Sequence, residues 1–128
     1  MQRKSPAGRP KKADQFLLAA ELVRDFATEG EVADAYVTLC VHAGIAAADV
    51  ICCTRLGTYS RGDNHAEAVG LLKKARETAS AHRLETLLRM KTKAGYTYLP
   101  SSPAEVKRAG RAASELVEMA KRVVASSR

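Results

Sequence analysis

The chain lacks most of the features that would place it at once. Of its 128 residues, the longest run without a charged side chain is Ala35 to Ala48, which has 14 residues and includes His42. A bilayer-spanning helix needs roughly 20 mostly apolar residues, so no membrane segment is expected. No secretory leader is expected either, because Asp14 and Gln15 follow the N-terminal lysines where an apolar run would have to begin. The three cysteines, Cys40, Cys52 and Cys53, are odd in number and offer no CxxC spacing, and no HxxxH pair accompanies them. A zinc site is therefore not expected, and the cysteines read as reduced, small core residues of a cytoplasmic protein. Also missing are a Ser/His/Asp set, a phosphate-cradling glycine loop and a metal cluster, so no cofactor is implied.

Acidic residues are absent from Met1 to Lys12, MQRKSPAGRPKK. Net charge is +7, but Arg3, Lys4, Arg9, Lys11 and Lys12 supply five of the 21 basic residues, and the remaining 16 face 14 acids. The excess charge thus sits in the first twelve residues, while residues 13–128 are nearly neutral. With Pro6, Gly8 and Pro10 among cations and no apolar face, residues 1–12 read as a disordered basic arm able to contact phosphates. Gly8-Arg9-Pro10 resembles the centre of an AT-hook, a short extended segment that lies in the A·T minor groove. The arginine usual before the glycine is replaced by Ala7, which removes one of the two groove-inserting guanidiniums.

What remains is helical in pattern throughout. Glu31 to Leu56 reads as a long central helix, with Val32, Tyr36, Leu39, Ala43, Ala47 and Val50 at helical spacing and Val37, Val41, Ala48 and Ile51 on a second flank. Gly44 leaves a gap for close approach on that flank. Asp34, Thr38, His42 and Asp49 fall on one polar seam, which marks a solvent face or a dimer cleft. Two apolar flanks exceed what a few short neighbours can cover, and a homodimer is expected. Ahead of this helix, Ala13 to Thr28 reads as a first helix ended by Gly30, and Gly57 closes the central one. Asn64 and Glu67 resemble a capping box, with His65 at the first helical position, where the helix dipole favours a neutral imidazole. Ala66 to Lys74 and Leu84 to Ala94 form two further helices with a break near Ser80. Ser102, Pro103 and Glu105 then start a last helix, with a second capping box. The fold expected for 13–128 is an all-α antiparallel bundle of four to five helices.

Three stretches carry a family resemblance: DAYVTLCVHAGIAAADVI (34–51), DNHAEAVGLL (63–72) and LLRMKTKAGYTYLPSSPAEVKRAGRAASELVEMA (87–120). Together they resemble a HEPN domain, the small helical bundle of toxin–antitoxin and defence systems that also stands beside minimal nucleotidyltransferases. The resemblance implies a homodimer and either a nucleotidyltransferase-type protein partner or RNA. Many HEPN proteins are metal-independent RNases with an R-x4–6-H motif, but KTKAGY puts Lys91 at the arginine position and no histidine within the next six residues. Lysine also lacks arginine's planar fork for a phosphate. A noncatalytic, partner-binding HEPN-like bundle is therefore the leading expectation. The alternatives are an RNase using His65 or His42 with Arg61, Arg55 or Lys91, and a DNA-binding regulator led by the arm. Candidate nucleic-acid contacts are Arg3, Lys4, Arg9, Lys11, Lys12, Arg61, Arg89 and Lys91, with Tyr96 and Tyr98 able to stack on a base or to anchor a turn.

Overall fold

The computed structural model describes residues 10–28, 30–60 and 65–127. Six helices and no strand occur among them: α1 (Lys11–Leu22), α2 (Arg24–Thr28), α3 (Ala33–Leu56), α4 (His65–Lys74), α5 (Thr78–Tyr96) and α6 (Pro103–Ser126). The all-α bundle is as expected, but six helices replace the four to five read from periodicity. The extra one comes from the first helix, which breaks at Val23, whose N–H turns back to Ala20 O at 3.1 Å. The break keeps Ala27 buried and Val23 packed on the core, at the cost of a straight helix.

The connection between α4 and α5 corrects a second expectation. Glu77 N–H reaches Leu72 O at 2.8 Å and Arg76 N–H reaches Lys73 O at 3.0 Å, with Arg76 at φ 65°. This is a Schellman ending with arginine in the left-handed position that glycine usually takes. The break therefore lies at residues 75–77, and Ser80 and Ala81 sit buried in the first turns of α5. Gly30 ends the preceding segment by the same bond pattern, and Gly57 closes α3 at φ 75° with its N–H on Cys53 O. At the start of α6 both halves of the capping box form. Ser102 Oγ accepts from Glu105 N–H at 3.1 Å, and Glu105 Oε1 accepts from Ser102 N–H at 2.7 Å, with Pro103 at the first position. The Ser102 N–H and Lys93 Nζ, 2.9 Å from the same oxygen, hold the Glu105 carboxyl below its ordinary range.

At the centre lies α3, packed by α1, α4, α5 and α6. Thirteen of its 24 residues are buried. It is long and apolar enough by length and composition to cross a membrane, contrary to the reading of the sequence, yet most of it is buried among the other helices. Its neighbours also cover most of the apolar flanks from which a dimer was expected, Val32 at 49% exposure excepted. Gly44 does permit a close approach, although by side chains: a Cβ there would meet Leu87 Cδ1 and, at 3.2 Å, Leu116 Cδ1. Gly110 of α6 likewise makes room for the Tyr36 hydroxyl. All three cysteines are free and buried, and desolvation pushes the Cys40 and Cys52 thiols up to about 12. Thiolate chemistry at neutral pH is excluded for that pair.

Candidate functional site

The polar seam of α3 is divided into three parts by its neighbours. Asp34 is engaged through one carboxylate oxygen, its Oδ1 accepting from Ser101 N–H at 2.8 Å and from Ser101 Oγ at 2.7 Å. It ties the loop before α6 to the start of α3 and does not belong to an open cleft. Asp49, toward the other end, lies half-buried near Lys12 of α1; burial pushes its carboxyl up to about 6 and the lysine opposes this. A carboxyl whose folded pKa exceeds its unfolded value binds more protons in the native state, so it lowers stability as pH rises from about 4 to about 6. Asp49→Asn should then stabilise the protein by about 1 kcal/mol above pH 6, after allowance for solvent screening, and by nothing below pH 4. Urea denaturation across that range reads the difference.

The middle of the seam opens to solvent as a recess. Thr38 and His42 of α3 face Lys91, Gly95 and Tyr96 of α5 across a cleft of ≈ 180 Å³ floored by Val41. His42 is exposed, and its ring stacks on Phe16 of α1 with centroids 5.2 Å apart and planes 28° apart. That contact fixes the imidazole at the cleft's edge. Lys91 is half-buried, so its stem is held by the bundle, and it has no carboxylate partner among the described residues. Tyr96 and Tyr98 are 78% and 93% exposed, which removes the turn-anchor reading and leaves two aromatic faces free to stack. Nothing lies near the position a Gly95 Cβ would take, so backbone is accessible at the rim. An ammonium, an imidazole, a hydroxyl and a phenol ring thus converge on a recess smaller than the ≈ 300–1,000 Å³ of a pocket for a drug-sized ligand. It suits one phosphate and the edge of one base.

The other sequence candidates lie elsewhere. Arg55 is paired with Glu77 at 3.2 Å. Arg89 is exposed two residues before Lys91, about 200° away around α5, and so on a different face. His65 opens α4, half-buried, and does not line the cleft. Arg61 and Asn64, and with them the proposed cap on His65, lie outside the described residues, as do Arg3, Lys4 and Arg9. Lys11 and Lys12 are the first two residues of α1, so they belong to the bundle and not to an arm ending at residue 12. Among the described residues no group of three or more His, Cys, Asp or Glu side chains could hold a metal ion. Sequence pattern had marked Thr38, His42, Lys91 and Tyr96 for separate reasons, but nothing in it coupled Phe16 to His42 or set α3 and α5 in register. No protein-family model matches the chain, and neither does any curated protein or solved structure.

Proposed function

We propose that this is a noncatalytic, HEPN-like cytoplasmic binding bundle that acts as a homodimer and holds single-stranded RNA in the α3–α5 cleft. The observation that carries this is the convergence of Lys91, His42, Thr38 and Tyr96 on one recess of nucleotide-edge size. Lys91 supplies the charge for a phosphate, His42 and Thr38 supply hydrogen bonds, and Tyr96 supplies a face for a base, a contribution of about 1–3 kcal/mol per stacked base. An extended single strand, with its bases unstacked, can present a phosphate and a base edge together to so small a recess. The basic residues before α1 add attraction that depends on net charge and not on sequence.

A catalytic reading would need a second proton-transfer group, since strand cleavage both removes a proton from the attacking hydroxyl and gives one to the leaving oxygen. The cleft lining offers one imidazole, with the Lys91 ammonium and the Tyr96 phenol as the other candidates. Incubating the full chain with a mixed pool of single-stranded RNA tests both at once. Retention of intact RNA, weakened by raised salt, is expected; cleavage abolished by His42→Ala would replace the binding reading with an RNase. Binding that survives loss of the cleft groups and disappears when residues 1–10 are removed would leave only the charged arm.

A further inference from the structure

A trough between α1 and α6, away from the α3–α5 cleft, has its charges sorted by end. Arg24, Lys107 and Arg111 line one end, ≈ 450 Å³ in volume, over Leu17 and Val106. Asp14 and Glu118 line the other, ≈ 440 Å³ in volume, where Lys121 is held by Asp14 at 2.9 Å, and Glu21 stands at the join. Leu17, Glu21 and Ser114 border both ends, so the two are continuous. Leu18 borders the acidic end, and with Leu22 one turn on it is exposed, at 58% and 73% respectively. Lys107 and Arg111 stand one helical turn apart with no ion pair among the described residues. Like charges at that spacing destabilise a helix unless something anionic lies against them.

We propose that a second copy of this chain docks on this face, through a two-fold axis that crosses the trough near Leu17 and Ser114 at right angles to α1 and α6. A two-fold interface sets the same patch against itself in reverse. Each basic end then lies over the acidic end of the other copy, with Arg111 opposite Glu118 of the second copy and the two Leu18 side chains meeting near the axis. A nucleic acid would satisfy the basic end and be repelled by the acidic one, whereas a second copy answers both ends and covers Leu18 and Leu22 as well. This rests on the homodimer reading and places the contact on α1 and α6, since most of α3 is already covered.

The test is analytical ultracentrifugation of the full chain at tens of micromolar, with circular dichroism as the control for folding. A dimer is expected for the wild type. Arg111→Glu and Glu118→Arg should each weaken it more than tenfold, and the double reversal should restore it, because the pair re-forms across the axis. A wild-type monomer overturns both the homodimer and the surface, including a monomer that dimerises only when residues 1–10 are removed. A dimer indifferent to both single reversals overturns the surface alone, and so does a double variant that fails to recover.

Discussion

Replacing Lys91 by glutamate should weaken binding of a single-stranded oligoribonucleotide by about tenfold to a hundredfold at moderate salt, read by fluorescence anisotropy. A hydrogen bond to a charged group contributes about 1.5–3 kcal/mol, and each 1.4 kcal/mol is a factor of ten. Reversal also puts a carboxylate where a phosphate would sit. Arg89→Glu is the matched control, because it removes the same charge from the same helix at a position turned away from the cleft. If the bundle attracts RNA only through its overall charge, the two variants will lose affinity equally. Salt dependence separates the contributions further. Each phosphate contact to a single strand adds about −0.7 to the log–log slope, so Lys91→Glu should flatten it by about one contact. Removing residues 1–10 should flatten it by more, since Arg3, Lys4 and Arg9 leave together.

The second large effect lies in the core. Leu87→Ala should destabilise the bundle by about 2–5 kcal/mol, the range for emptying a fully buried leucine site, and that is a large share of the roughly 5–15 kcal/mol that holds a domain folded. Leu87 is completely buried, with its Cδ1 lying where a side chain at position 44 would begin. Gly44→Ala alone should cost about 1–3 kcal/mol, because overpacking outweighs the gain of about 1 kcal/mol in helix propensity. The two changes should not add. In the double variant the new methyl enters the space the leucine vacates, so the total should fall short of the sum by about 1 kcal/mol. Urea midpoints of the four proteins measure the cycle, and simple additivity would mean that the α3–α5 contact is looser than described.

Local signals in the sequence were legible where the chain itself satisfies them. The capping box of α6 needs only Ser102, Pro103 and Glu105, and Gly30 and Gly57 stop their segments through their own backbone freedom. The end of α4 at Lys74 was legible from the loss of apolar residues beyond it, but the start of α5 at Thr78 was not, because Arg76 occupies the left-handed position of the turn without the glycine that would advertise it. Ser80 and Ala81 looked like a linker since residues 76–83 are poor in apolar side chains, yet both are buried in the first turns of α5. The seam on α3 was read correctly as one stripe, but its fate depended on partners far along the chain. Ser101 takes Asp34 from 67 positions away, and Lys12 approaches Asp49 from α1. Periodicity says which side of a helix a residue occupies, and nothing about which turn of a neighbour it meets. The joining of His42 to Lys91 and Tyr96 therefore required the folded register.

The most direct measurement of the cleft's role is a two-dimensional NMR titration of the full chain, labelled with nitrogen-15 and carbon-13, with a short single-stranded oligoribonucleotide. The account predicts saturable shifts at the Thr38 and Gly95 amides and at the His42 and Tyr96 rings, all lost in Lys91→Glu. Shifts confined to residues 1–12, with those four signals unmoved at saturation, would contradict it.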